Sequence, residues 1–291
     1  MHTDDFELEE PELTADDLLV VDDPHFDPGS VAVVTGAASG IGQATAVALA
    51  ANGLTVVGAD VDEEGLQQTT GIAADVAGEI GATGEVRPVT ADLTDDADVE
   101  ATIGAAAGAG DLRYVANIAG IQHVASIPEF PMERYDLMLD LMLRAPFLLA
   151  KHAMPHVRET DDGVGAIGNM SSVHGHYATR DKPAYVTAKH GLHGLTRAIA
   201  AEGEGTLRGF SVSVGYVLTP LMVNQIADTA SEREISEREV IENVMLGQAR
   251  TKELMTPAEV ANLFVFGFSR HGKHLNGGDL LWDGGYTTTY E

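Results

Sequence analysis

Residues 31–42, VAVVTGAASGIG, decide the fold. The apolar run VAVVT (31–35) reads as a strand of the continuous kind found in sheets buried on both faces. Glycines at 36, 40 and 42 follow at once, and small residues carry a helical stretch on to Ala51. A glycine-rich turn between strand and helix brings backbone N–H groups and the helix N-terminus close to a pyrophosphate. The spacing here is GxxxGxG rather than the common GxGxxG, so the turn needs support from its surroundings.

The surroundings supply it. LTVVGA (54–59), EVRPVT (85–90), LRYVA (112–116), VGAIGNM (164–170), GFSVSVG (209–215) and DLLW (279–282) are further strand candidates. Helical stretches separate them near 63–81, 95–107, 131–158, 183–204 and 257–268. Strands alternating with helices predict an α/β, doubly wound Rossmann-type domain: a seven-stranded parallel sheet with helices on both faces. That domain is expected over 29–291. The stretch 219–256 lacks strand character and is expected to form a small helical lid over the carboxyl ends of the strands, where such folds bind ligands. Residues 1–28 stand apart, with eleven acids, no Lys or Arg, and prolines at 11, 24 and 28; they read as a flexible acidic N-terminal arm.

Bulk composition removes several classes of function. The 291 residues include no cysteine, which excludes disulfides, thiolate chemistry and cysteine-ligated zinc. No HExxH pattern is present, and no metal is expected. No apolar run reaches the roughly 20 residues that cross a bilayer, and MHTDDFELEE has no signal-peptide character, so a cytoplasmic protein is expected. A net charge of −28 argues against nucleic acid and anionic membranes as partners. The acids are spread along the chain, and their repulsion is screened within about 3 Å at 1 M salt. Such a composition resembles that of proteins from halophiles with a salt-filled cytoplasm.

Asp60 ends the second strand candidate, eighteen residues after Gly42. A carboxylate there accepts hydrogen bonds from both ribose hydroxyls and repels a 2′-phosphate, so NAD is favoured over NADP. Asp92, in ADLTD, follows the third strand, and Asn117, in NIAG, follows the fourth. Further on, Tyr185 and Lys189 lie four residues apart in AYVTAKHG, on one helix face, with Ser172 thirteen positions upstream of the tyrosine. Free tyrosine has a pKa of about 10. A neighbouring ammonium is expected to lower it, letting the phenol exchange a proton with an alcohol oxygen that a serine hydroxyl holds.

TGAASGIG, ADLTD, NIAG, Ser172 and Tyr185-x-x-x-Lys189, in this order across about 30 to 287, resemble the short-chain dehydrogenase/reductase family. The resemblance implies catalysis by Ser172, Tyr185 and Lys189, with Lys189 also holding the nicotinamide ribose and Thr219 the carboxamide. It implies a nucleotide site of Gly36, Ser39, Gly40, Ile41, Gly42, Asp60, Asp92, Leu93, Asn117, Tyr185, Lys189, Val217 and Thr219. Three positions depart from the family pattern: Met142 stands for the usual helix asparagine of the proton relay, Ile118 for an asparagine, and Val214 for a proline.

GIQHV (120–124), SSVHGH (171–176), DKPAYVTAKHG (181–191), GYVLTPLMVNQI (215–226) and WDGGYT (282–287) are similar to the bacterial-type D-3-hydroxybutyrate dehydrogenases of that family. This implies a small-acid site of Gln122, Ser172, His174, Lys182, Tyr185 and Gln225. Independently, Lys182 precedes Tyr185 by three residues, and a cation there suits a carboxylate close to the reacting hydroxyl. The expected activity is NAD-dependent interconversion of (R)-3-hydroxybutyrate and acetoacetate by a homotetramer. The alternatives are a family member acting on a sugar, polyol or 3-oxoacyl substrate, or a catalytically impaired NAD-binding regulatory protein.

Overall fold

Strands β1 (Ser30–Thr35), β2 (Thr55–Asp60), β3 (Glu85–Thr90), β4 (Asp111–Asn117), β5 (Gly165–Met170), β6 (Leu207–Val214) and β7 (Asp279–Trp282) form one sheet in a computed structural model that describes residues 11–289. They pair in parallel in the order β3-β2-β1-β4-β5-β6-β7. The pleat sends alternate residues of β1 into opposite halves of the core: Ala32 and Val34 to one, Val31 and Val33 to the other. Helices α1 (Gly40–Ala51), α2 (Glu63–Ile80), α3 (Asp96–Ala109), α4 (Met132–Leu139), α5 (Ala145–Glu159), α6 (Pro183–Glu202), α7 (Pro220–Arg233), α8 (Glu237–Glu239) and α9 (Pro257–Phe268) complete it. The half holding Ala32 and Val34 is closed by α1, α2 and α9, the other by α3, α5 and α6.

Local chemistry sets the helix ends. Asp62 and Asp95 cap α2 and α3 by accepting from Gly65 N–H and Ala97 N–H. Thr256 and Glu259 cap α9 reciprocally, with Pro257 in the first turn. Strand order reverses between β1 and β4, which opens a crevice at the carboxyl ends of the sheet. Thr35 holds that crevice together: its hydroxyl accepts from Ile118 N–H at 2.9 Å and Ala119 N–H at 3.1 Å.

Two segments differ from expectation. The single helix over 131–158 is divided, with a π-helical turn at Asp140–Arg144 between α4 and α5. Pro146 has no N–H for the Met142 carbonyl, so a regular ladder cannot run through this point. The flexible arm was expected over 1–28; residues 1–10 lie outside the described residues, and the rest is docked. Leu18 is buried, and Leu13, Ala15, Val21 and Phe26 pack on the α1/α2/α9 side of the core. Two asparagine side chains clamp the backbone. Asn262 accepts from Leu19 N–H and donates to the Asp17 carbonyl; Asn52 accepts from Val21 N–H and donates to the Leu19 carbonyl. Leu18 and Val21 of the LLVV run, with Leu13 and Phe26, outweigh the acids around them.

Residues 219–256 form α7, α8 and a π-helical turn at Val240–Met245. They share a small apolar cluster of their own, built on Met222, Ile226, Val240, Ile241, Met245 and Leu246. No helix among the described residues is long and apolar enough to cross a membrane.

Candidate active site

Two cavities meet in the crevice. The first lies over the turn between β1 and α1 and is lined by Gly36, Ser39, Gly40, Ile41, Gly42, Asp60, Asp92, Leu93 and Thr219. Its glycines are required by geometry. A Cβ on Gly42 would sit 1.9 Å from the Gly36 carbonyl oxygen. Gly36 itself has φ +69°, and its Cβ would lie 2.9 Å from the Ala119 Cα. The Asp60 carboxylate is fixed at the rim by Ala38 N–H and Asp62 N–H, at 3.2 and 3.1 Å. Asp92 accepts from both the backbone and the hydroxyl of Thr94, and the hydroxyl contact does most to hold its pKa below the usual carboxylate range. No Lys or Arg lines this cleft among the described residues.

Asn117 alone of the expected nucleotide residues lines neither cavity. It is buried at the end of β4, where its amide donates to Asn169 Oδ1 at 2.7 Å and its own Oδ1 has no partner. Asn169 in turn donates to the Thr196 hydroxyl on α6. In this arrangement Asn117 ties β4 to β5 and, through Asn169, to α6.

The second cavity gathers Gln122, Ser172, His174, Lys182, Tyr185, Lys189, Val217, Thr219 and Gln225 from segments far apart in the chain. The two cavities share Ile41, Ile118, Gly120, Thr219 and Leu221 as a common wall. Thr219 caps α7 by accepting from Met222 N–H, which places the first turn of that helix between them.

Tyr185 and Lys189 stand one turn apart on α6, with the Lys189 ammonium 5.2 Å from the tyrosine ring centre. The expected lowering of the phenol pKa is not what the surroundings produce. Burial pushes Tyr185 up to about 12, against which a hydrogen bond with Ser172 acts downward. Burial also pulls Lys189 down to about 8, and its ammonium donates to the Met170 carbonyl at 2.7 Å. Desolvation therefore governs this phenol, which keeps its proton at neutral pH. Beneath the tyrosine, Met142 is buried with Met138, Ala184 and Ala188, so an apolar cluster occupies the expected relay position.

His174 is neutral: burial, then the Lys182 charge, pull its pKa down to about 3. Its Nδ1 lies 3.3 Å from the Ser172 hydroxyl and its Nε2 3.1 Å from the Thr179 hydroxyl. Both ring nitrogens are thus engaged, and the ring orients Ser172 rather than offering a charge to an acid. Its edge meets the Tyr185 ring at 5.7 Å between centres. His123, one residue from Gln122, packs edge-on against Phe130.

Lys182 is buried just before the first turn of α6. Its ammonium donates to Gln225 Oε1 at 3.1 Å and lies 5.6 Å from the centre of the Tyr216 ring. Burial, then the charge of Arg233, bring its pKa down to about 8. The Tyr216 platform, and Ser171 in the cavity wall, lie within GYVLTPLMVNQI and SSVHGH, where nothing in their residue type sets them apart from their neighbours.

Residues 36–287 match the family model described as enoyl-(acyl carrier protein) reductase. The D-beta-hydroxybutyrate dehydrogenase of Rhizobium meliloti is 37% identical over 262 residues, spanning 88% of this chain and 98% of that protein. The D-beta-hydroxybutyrate dehydrogenase of Cupriavidus necator is 33% identical over 260 residues, spanning 89% and 98%. Among solved structures, levodione reductase is similar with a TM-score of 0.82 and 29% identity, covering 91% of this chain and 100% of that one. Similarity that begins in the glycine turn and continues past the last strand is similarity of the whole machine, and the chain belongs to the short-chain dehydrogenase/reductase family of oxidoreductases.

Proposed function

We propose that this chain is an NAD-dependent dehydrogenase interconverting (R)-3-hydroxybutyrate and acetoacetate. The observation that carries the acid substrate is Lys182. It is a buried ammonium facing the cavity, bonded to a neutral amide and resting near a ring face, and the one charge acting on its pKa is another cation. A buried cation without a counter-charge is costly, and an incoming carboxylate removes that cost. Gln225 and Gln122 line the same space and supply amide donors.

The lining of the cleft fits a dinucleotide, and Asp60 with no lining cation favours NAD over NADP. When bound, the nicotinamide supplies hydride transfer. The residues of the chain do the rest. Ser172, oriented by His174, holds the substrate oxygen, and Tyr185 gives or takes the proton at that oxygen. Lys182 fixes the far end of the acid, so that its carbonyl carbon is presented in one orientation. In the reading proposed here, residues 219–256 act as the lid, the assembly is a homotetramer, and the acidic surface suits a salt-rich cytoplasm.

A substrate panel in molar salt tests this reading: NADH formed from (R)-3-hydroxybutyrate well above that from uncharged secondary alcohols. Equal rates on both would overturn the acid anchor, and nucleotide binding with no turnover of any hydroxy acid would favour a regulatory protein.

A further inference from the structure

His176, His193 and Asp279 converge outside both cavities. His176 follows the short turn that begins at Ser172, His193 stands one helical turn beyond Lys189 on α6, and Asp279 opens the edge strand β7. One ring nitrogen of each histidine and one carboxylate oxygen lie within 4.8 Å of one another. His176 Nε2 is 2.9 Å from Asp279 Oδ2.

Hydroxyl groups hold these side chains from behind. Asp279 Oδ1 accepts from Ser211 at 2.7 Å and from Ser213 at 2.8 Å, which leaves Oδ2 turned to the histidines. The two ring nitrogens of His193 lie 3.1 Å from the Ser171 hydroxyl and 3.2 Å from that of Ser211. The loop backbone presses against the same ring: a Cβ on Gly175 would sit 2.5 Å from His193 Nε2. Both nitrogens of His193 meet hydroxyls, and an ion entering here replaces one of those two contacts. Hydroxyls behind inward-turned imidazole and carboxylate groups are how metal ligands are oriented.

We propose that His176, His193 and Asp279 form a binding site for a divalent ion of the zinc class, with its fourth position open to water beside the exposed His176. Two imidazoles and a carboxylate are a zinc donor set, with ligand distances of about 2.0–2.2 Å. Tetrahedral ligands at that range stand roughly 3.4 Å apart. His176 and Asp279 already stand closer than this, so the span still to close is the one to His193. The ion ties the loop of Ser172 and His174 to the helix of Tyr185 and Lys189 and to the edge of the sheet. Its role is structural, and it takes no part in hydride transfer. No helix pattern announces the site, because the three ligands come from three separate elements.

The test uses the full-length protein, stripped with a chelator and titrated with Zn²⁺ against a chromophoric competitor. One equivalent per chain is expected, with a rise in Tm. His176→Ala and Asp279→Asn should each weaken binding at least tenfold, whereas His274→Ala, at an exposed histidine elsewhere, leaves it unchanged. Because His176 is exposed, its variant folds and carries the result if Asp279→Asn does not. Binding of several weak equivalents insensitive to His176→Ala and Asp279→Asn, an adventitious ion only, would overturn the site, as would no binding at all. None of these readouts depends on the substrate.

Discussion

The glycine-lined cleft and the pocket proposed for the acid share a wall but are built by different means. In the cleft the recognising groups are largely backbone, held by glycines whose side chains would collide with the turn itself. Those glycines lie within residues 36–42. In the pocket the recognising groups are side chains brought from the loops after β4 and β5, from the start of α6 and from α7. The cleft depends on local conformation, the pocket on tertiary assembly. The first should tolerate little change in shape, the second should be tunable one side chain at a time.

The sharpest way to separate them is Tyr185→Phe. Loss of a positioned acid/base should lower kcat by about 10²–10⁴ while nucleotide binding, followed by NADH fluorescence, stays near wild type. A similar fall in nucleotide affinity would show that the two regions are not independent. Lys182→Ala should raise KM for acetoacetate by about 10- to 150-fold, the range for a lost charged hydrogen bond, with kcat on an uncharged ketone unchanged. On the cleft side, Asp60→Ala should raise kcat/KM with NADP roughly tenfold by removing a like charge from the rim. No change would mean that the carboxylate does not face the 2′ position.

The pH response follows from Lys182. Its pKa is lowered to about 8, so the free enzyme carries the charge below that value and loses it above. The ratio of kcat/KM for acetoacetate over an uncharged ketone should therefore fall above pH 8, approaching tenfold within one unit. Both ketones experience Lys189 alike, so the ratio isolates Lys182; a flat ratio would remove it from the acid site. The smallest effect is common to both regions. With a net charge of −28, Tm should rise by several degrees between 0.1 and 1 M KCl as repulsion is screened.

Most of the seven strands were legible as short apolar runs bounded by turn residues, the edge strand EVRPVT being the polar exception, and the glycine turn because its motif is contiguous. Ser172, Tyr185 and Lys189 stood out by their spacing only together with the glycine turn, ADLTD and NIAG, and the fold brings all three to one cavity. What could not be read was the balance of opposing terms. Sequence places the Lys189 charge beside Tyr185, but only the packed site shows that burial wins. Likewise it places His174 near the acid without showing that Thr179 and Ser172 already occupy its nitrogens. Asn117 follows a strand as expected, yet its side chain turns toward Asn169. The acidic composition of the first 28 residues hides the short apolar run that docks its later part.

The first turn of α7, capped by Thr219, contributes to both cavities, so neither can be filled without consequence for the other. In the proposed reading, a nucleotide settling against Thr219 and Leu221 completes the chamber that the acid enters. The kinetics should accordingly show a compulsory sequence, dinucleotide on first and off last, with the organic product departing in between.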